Sequence, residues 1–129
     1  MLQYSLLASA TTPSIDPKAT PLPRRDLGAG AWLDITQGWV QGSDALFEHV
    51  HETAPWSAHE RIMWGKVIEE PRLSTRGWTD APSPVPELGR ALSLRYGLDL
   101  RSVNANWYRN GQDSVAWHGD NSGRVADTT

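Results

Sequence analysis

Cysteine is absent from this chain of 129 residues. That absence excludes disulfides, thiolate catalysis and cysteine-ligated zinc, so any bound metal must be held by nitrogen and oxygen atoms. The short apolar start of the chain lacks the preceding Lys or Arg and the length that a secretory signal needs. No apolar run approaches the roughly 20 residues of a membrane span. Together these absences predict a cytoplasmic protein.

Neither sign of charge dominates, because 12 Lys and Arg accompany 15 Asp and Glu, for a net charge of −3. The 39% of hydrophobic and 21% of charged residues are typical of an ordinary globular domain. Residues 61–109 nevertheless hold eight of the basic and only five of the acidic residues. Excess positive charge on one face favours contact with phosphates. A solvated surface of mixed charge explains these numbers equally well.

The local pattern predicts an arm, two helices and one strand ahead of the most informative motif. Four prolines in residues 11–25 predict that residues 1–25 form a flexible, Pro-rich arm. Ser43 is the expected N-cap of the first helix, and the second is expected from about Pro86 to Tyr96. Residues 61–68 read as one strand. The apolar residues expected to face inward are Leu46, Phe47 and Val50 on the first helix, and Leu88, Ala91, Leu92 and Leu94 on the second.

One phenylalanine and seven tryptophans make the aromatic content unusual. We expect Trp32, Trp39 and Trp56, which lie on either side of the first helix in the sequence, to be packing residues, since a buried aromatic ring removes a large area from water. Trp64 and Trp78 flank a stretch that reads as a loop. Enzymes that act on a nucleobase extrude it and stack it against aromatic or apolar side chains. Most of the tryptophans other than Trp78 are expected to belong to the core.

His118 and Asp120 are spaced so that, in a strand, an imidazole and a carboxylate point to the same side. Two histidines and one carboxylate with open positions are the ligand set of non-haem Fe(II) oxygenases, and this pair supplies two of the three ligands. The alternative is a surface turn that follows a strand. Asn110 and Gly111 predict a turn, and residues 114–117 a second strand that carries the ligands.

The residues in front of this pair alternate in polarity, as in a half-buried strand that lines a polar cavity. Polar Asn104, Asn106 and Tyr108 alternate with apolar Val103, Ala105 and Trp107. The remaining histidines, His49, His51 and His59, are expected to be solvated or hydrogen-bonded side chains without a metal.

The segment Asn106-Trp-Tyr-Arg-Asn-Gly, followed by His118-Gly-Asp, resembles the core of the AlkB-type dioxygenases that depend on 2-oxoglutarate and Fe(II). That family removes alkyl groups from nucleic-acid bases. Four upstream segments extend the resemblance over nearly everything after the first two dozen residues. They are Gly30-Ala-Trp-Leu-Asp, Ala45-Leu-Phe-Glu, Pro55-Trp and Glu70-Pro-Arg-Leu.

The resemblance implies a fold and a set of site residues. Residues 26–129 would form the N-terminal part of an AlkB-like domain, an α+β structure in which two helices support part of a double-stranded β-helix, or jelly roll. His118 and Asp120 would bind the iron, and Asn106 and Tyr108 would hydrogen-bond 2-oxoglutarate. A nucleotide-recognition lid would span about residues 61–80. Within it, Arg72 and Trp78 are the candidates for substrate contact.

The chain also departs from the family, which places a second iron-binding His and an Arg that clamps 2-oxoglutarate further along. Nothing after Asp120 can replace them, so a truncated enzyme with weak iron binding and little turnover is expected. Unsatisfied strand edges also predict self-association. The implied activity is oxidative demethylation of alkylated bases in DNA or RNA. The alternatives are a catalytically incomplete nucleic-acid-binding remnant and a 2-oxoglutarate dioxygenase that acts on protein.

Overall fold

The computed structural model describes residues 12–118 of the chain. These residues form an α+β fold with two helices and three small antiparallel sheets, which confirms the predicted class and both helices. The described residues belong to two compact units. Unit 1 contains residues 12–55 and 76–104, and unit 2 contains residues 56–75 and 105–118.

Unit 1 begins with two short antiparallel ladders. Its strands are β1 (Ser14–Ile15), β2 (Arg25–Gly28), β3 (Ala31–Leu33) and β4 (Val40–Gln41). β1 pairs with β4, and β2 pairs with β3. The Asp16 N–H donates to the Trp39 carbonyl over 2.8 Å, and the Leu22 N–H donates to the Ile35 carbonyl over the same distance. From residue 12 onward, the expected Pro-rich arm is therefore part of unit 1 and is hydrogen-bonded to other residues of that unit.

The first helix, α1 (Ser43–Thr53), begins at the residue predicted as its cap, so the observed cap lies one residue earlier than predicted. Gly42 is the N-cap, in a left-handed conformation with φ of 65°, and Ser43 is already helical. Glycine suits this position because it has no Cβ to clash. The helix ends before Pro55, as predicted. Phe47 was expected to face inward but is exposed and stacks on His51 at 6.2 Å between ring centroids.

The second helix, α2 (Val85–Tyr96), agrees with its predicted bounds, and Gly97 closes it in a left-handed conformation with φ of 63°. Ala91 and Leu92 are partly buried, whereas the expectation that Leu94 packs inward was wrong, because Leu94 is exposed. Neither helix in the described part of the chain has the length and apolar character needed to cross a membrane.

Unit 2 is built on one long hairpin, which corrects the prediction of a single strand over residues 61–68. Strands β5 (Ser57–Met63) and β6 (Lys66–Ser74) pair antiparallel around a two-residue turn at Trp64 and Gly65. Strand β7 (Asn106–Trp107) then pairs with the end of β6. The rings of Trp56 and Trp107 pack with centroids 5.7 Å apart, so the prediction of a packing role for Trp56 agrees with the structure.

Thr75 is the most deeply buried described side chain and joins β6 to the segment before β7. Its N–H donates to the Ala105 carbonyl over 3.0 Å, and its hydroxyl accepts from the Ala105 N–H over 2.9 Å. A similar contact lies within unit 1, where the Gly77 N–H donates to the Asn104 side-chain oxygen over 3.1 Å. The chain stretches around residues 75–77 and 104–105 are thus hydrogen-bonded to each other within unit 2, at Thr75 and Ala105, and within unit 1, at Gly77 and Asn104.

Candidate metal and cofactor site

The polar alternation predicted around β7 is present as an alternation of exposure. Asn106 and Tyr108 are exposed, while Ala105 and Trp107, which alternate with them, are partly buried. Trp107 faces Trp56, so packing on one side of the strand fixes which side chains remain on the other. The carboxamide of Asn106 and the phenol of Tyr108 therefore lie on one solvent-facing side.

These two side chains keep their hydrogen-bonding capacity. Within residues 12–118, neither the Asn106 amide nor the Tyr108 hydroxyl has a hydrogen-bond partner, although the backbone of Asn106 pairs with Ser74. An amide NH₂ and a phenolic O–H are both donors. The pair can accept an anionic ligand such as a dicarboxylate without breaking an existing contact.

A loop closed by hydrogen bonds between Arg109 and Asp113 follows Tyr108. The Arg109 guanidinium binds the Asp113 carboxylate through two contacts of 2.8 and 3.1 Å, and the Arg109 N–H donates to the same carboxylate over 2.8 Å. These hydrogen bonds lower the pKa of Asp113 and raise the pKa of Arg109. The predicted turn is present, since the Asp113 N–H donates to the Asn110 carbonyl. The Ser114 N–H then donates to the Pro71 carbonyl, which fixes the chain beside β6.

His118 lies beyond this loop with a defined ring orientation. Its Nδ1 is 2.7 Å from the carbonyl oxygen of Ala116, and a carbonyl can only accept, so Nδ1 carries the proton. In the neutral ring Nε2 is then the nitrogen with the lone pair. Histidines that bind metals commonly have their second ring nitrogen held by a carbonyl or carboxylate in this way.

The structure tests only half of the predicted metal pair, since Asp120 lies outside the described residues. Residues 114–117 form no strand, so the second strand expected to carry the ligands is not present there. Across residues 12–118 no group of three or more His, Asp or Glu is placed to hold a metal. His49, His51 and His59 thus do not assemble into such a group either.

The two substrate candidates, Arg72 and Trp78, belong to different units. The Arg72 side chain is 14% exposed, forms an ion pair with Glu70 at 3.2 Å and makes a long contact of 3.4 Å to the Ser114 carbonyl. Trp78 is buried and contributes to the wall of a cavity of about 440 Å³ in unit 1. Both side chains are therefore largely engaged with their own units.

A cluster that the sequence did not reveal surrounds Asp34, just after β3. Arg24 binds its carboxylate through contacts of 2.8 and 2.9 Å, and the Tyr96 hydroxyl donates to it over 2.7 Å. The Arg24 guanidinium also lies 3.7 Å from the centre of the Trp32 ring. The hydrogen bond from Arg24, followed by that from Tyr96, holds the pKa of Asp34 well below its usual range. The same bond raises the pKa of Tyr96.

This cluster has no unpaired acid or base, so its geometry favours a structural role over a catalytic one. It joins β3 to α2, which are far apart in the sequence. No local signal could have predicted it, because Asp34 and Tyr96 are 62 positions apart. Trp32, expected to be a packing residue, packs its ring against Tyr96 at 5.8 Å between ring centroids but remains 47% exposed.

Comparison with protein-family models, with curated proteins and with solved structures finds no match to this chain. Any functional assignment therefore depends on the residues of the chain itself.

Proposed function

We propose that this chain contributes to an AlkB-type dioxygenase that oxidatively demethylates alkylated bases in DNA or RNA, using Fe(II), O₂ and 2-oxoglutarate. In this proposal the described strands are part of a double-stranded β-helix. The observation that carries it is the pair of exposed donors, Asn106 and Tyr108, followed by a histidine whose Nδ1 lies 2.7 Å from the Ala116 carbonyl oxygen.

The donors present suit iron. His118 would bind it through Nε2, because the carbonyl of Ala116 holds the proton on Nδ1. Asp120 would provide the carboxylate, and a second His would complete the usual set of ligands. When bound, the iron together with 2-oxoglutarate supplies the oxidation of the N-alkyl carbon, which leaves as an aldehyde.

The chain's own contribution is binding and orientation. Asn106 and Tyr108 would donate hydrogen bonds to the carboxylate oxygens of 2-oxoglutarate. Packing of Trp107 and pairing with β6 fix the backbone beneath these donors, so little ordering is needed on binding. The loop closed by Arg109 and Asp113 sets the path of the chain from these donors towards His118.

Substrate contact is proposed for the segment around residues 61–80, on the strength of its basic residues. Arg72 would have to exchange Glu70 for a phosphate in order to contribute its charge. Trp78 offers only the part of its ring that lines the unit 1 cavity. Nucleic acid is the proposed substrate.

The test is anaerobic titration of the chain with Fe(II) and 2-oxoglutarate, followed by the metal-to-cofactor charge-transfer absorption. We expect a weak band, in keeping with an incomplete set of ligands, that His118→Ala abolishes and that His49→Ala, a change at an exposed histidine on α1, leaves intact. A wild-type chain without a band, or a His118→Ala chain with an undiminished one, contradicts the proposed iron site.

Succinate formation then identifies the substrate. Stimulation by an alkylated oligonucleotide supports demethylation of bases, whereas stimulation by peptides alone favours a dioxygenase that acts on protein. Nucleic-acid binding without either band or succinate favours the binding remnant.

A further inference from the structure

The β5–β6 hairpin is a two-stranded ribbon whose two faces differ in charge. Its regular ladder runs from Glu60 opposite Glu69 to Met63 opposite Lys66, next to the turn. Successive side chains on a strand point to opposite faces, and directly opposed residues share a face. The first face of the ladder therefore carries two acids and two apolar residues: Glu60, Ile62, Val67 and Glu69. The second face carries two cations and two apolar residues: Arg61, Met63, Lys66 and Ile68.

Both faces of this ladder are in contact with solvent. On the first face, Ile62 and Val67 are 76% and 66% exposed, and on the second face Ile68 is 37% exposed. All four charged residues of the ladder are exposed as well. A two-stranded ribbon by itself is only marginally stable in water and needs further strands or packing to be stable. Apolar side chains thus lie on both faces without being covered by other described residues.

The first face is acidic. Glu60 and Glu69 oppose each other directly, and like charges in that arrangement repel. The pKa of Arg109 is raised mainly by its hydrogen bond to Asp113, and to a smaller extent by the charge of Glu69. Arg109 is therefore a nearby cation, but Asp113 already binds its guanidinium through two contacts. A cation that offsets the charge of the whole first face has to come from outside the hairpin.

The second face is basic, since Arg61 and Lys66 are its charged residues in the ladder. Within residues 12–118 neither of them forms an ion pair. The next charged residues along β6, Glu70 and Arg72, form an ion pair with each other, so they leave the sign of this face unchanged. Each face of the ladder thus has the charge that the other face lacks.

We propose that the hairpin is a self-association surface, on which the first face of one copy of the chain packs against the second face of another copy. The two acids of one copy would meet the two cations of the next, and the apolar side chains between them would exclude water. Stacked sheets pack about 10 Å apart, a distance that side chains from both faces fill. Charge complementarity assigns the partner, because a second copy of this chain presents the opposite charge beside apolar residues on a surface of the same size.

This contact joins two different faces, so a copy that uses its first face still offers its second. Contacts of this kind extend into rings or open chains instead of stopping at a dimer. Four residue pairs span only about 14 Å, so the contact is smaller than a standard protein interface. Association should therefore be weak, reversible and dependent on protein concentration.

Sedimentation velocity of nuclease-treated protein over a range of concentrations measures this association. At about 0.15 M salt the weight-average sedimentation coefficient of the wild type should rise with concentration, and at higher salt it should rise less, because charges are screened. Glu60→Lys/Glu69→Lys makes both faces basic, and Arg61→Glu/Lys66→Glu makes both acidic. Each double variant should lower the association constant by roughly 10-fold or more, because exposed ion pairs become repulsions.

An equimolar mixture of the two double variants should associate again, since each basic face then meets an acidic one. This recovery separates loss of the contact from loss of folding, because two misfolded variants do not restore each other. The matched control is Glu52→Lys/Asp99→Lys, which makes the same change in net charge at two exposed acids outside the hairpin and should associate like wild type. Val67→Thr keeps a residue that favours strands, removes apolar surface and should weaken association without a change in charge.

Three results overturn the inference. The first is the same concentration dependence in wild type and in both double variants, which is expected for pairing through strand edges, because backbone hydrogen bonds do not depend on the charge of the faces. The second is a mixture of the variants that stays dissociated. The third is a wild type that associates only before nuclease treatment, which would make nucleic acid the partner. No step requires iron or 2-oxoglutarate, so the outcome is independent of the proposed function.

Discussion

The Asp34 cluster in unit 1 and the Asn106–Tyr108 face in unit 2 are two polar regions with opposite hydrogen-bonding states. In the first, an acid accepts hydrogen bonds from Arg24 and Tyr96, and its side chain is only 9% exposed. In the second, exposed donors have no side-chain partner among the described residues.

The comparison indicates where binding capacity lies in this molecule. A saturated polar cluster can gain nothing from a ligand without first losing an internal contact. An unsaturated pair on a strand fixed by packing can bind one at little cost. The two tyrosines make the contrast testable, since Tyr96 belongs to the saturated cluster and Tyr108 to the open face.

The largest expected effect is on the affinity for 2-oxoglutarate, which should depend on Tyr108 but not on Tyr96. Asn106→Ala and Tyr108→Phe should each weaken 2-oxoglutarate binding by roughly 10- to 100-fold, since each removes a hydrogen bond to a charged group. Isothermal titration calorimetry with Fe(II) under anaerobic conditions measures this change. Their free energies of unfolding should stay within about 0.5 kcal/mol of wild type, as for exposed positions.

Tyr96→Phe is the matched control, because it removes the same hydroxyl from the saturated cluster. It should lower stability and leave 2-oxoglutarate affinity unchanged. Equal loss of affinity in both tyrosine variants would show that the open face has no special role.

A second change tests whether the hydrogen bond between Thr75 and Ala105 inside unit 2 stabilises the fold. Thr75→Val keeps the shape of this buried side chain but leaves the Ala105 N–H without its acceptor. We expect a loss of about 1–3 kcal/mol in urea unfolding, the cost of one unsatisfied buried donor. Thr75→Ser retains the hydroxyl and should lose less; a larger loss for Ser than for Val would assign the effect to packing.

The smallest expected effect is the pH dependence of the Asp34 cluster. The folded pKa of Asp34 is lowered from 3.8, so its contribution to stability is present above that pH and is lost as the pH falls below it. Melting temperatures between about pH 2 and 5 should therefore fall less steeply in Asp34→Asn than in wild type. Asp113, whose pKa is also lowered, should keep part of the slope in that variant.

Asp99→Asn is the control for that titration. Its ion pair with Arg101 joins two largely exposed side chains, and such pairs contribute little to stability, so Asp99→Asn should change the melting temperature little across this pH range. An equal reduction in both variants would mean that the cluster at Asp34 does not set the acid response.

Local chemistry made part of this structure predictable. The alternation that ends at Tyr108, the turn at Asn110 and the stop at Gly97 are each encoded by neighbouring residues, and each is present. The Trp64–Gly65 turn was missed because an apolar run with no turn residue except glycine reads as a continuous strand. The Asp34 cluster was missed because long-range pairs leave no periodic signal in the sequence.

The candidate site was predictable in a more limited way. Spacing alone indicated that Asn106 and Tyr108 would share a face, since only the period of a strand is needed. The ion pair between Arg72 and Glu70 was not predicted because this stretch read as a loop, whereas on strand β6 the two side chains are two positions apart and share a face.

The hydrogen bonds of Thr75 to Ala105, and of Gly77 to Asn104, hold the two ends of residues 76–104 close together. A short linker could therefore replace residues 76–104 with a small change in loop-closure entropy. The gene could accordingly be cut after residue 75 and rejoined at residue 105. Residues 56–75 and 105–129 could then be produced as one continuous polypeptide, and the Asn106–Tyr108 face could be studied apart from the helix α2.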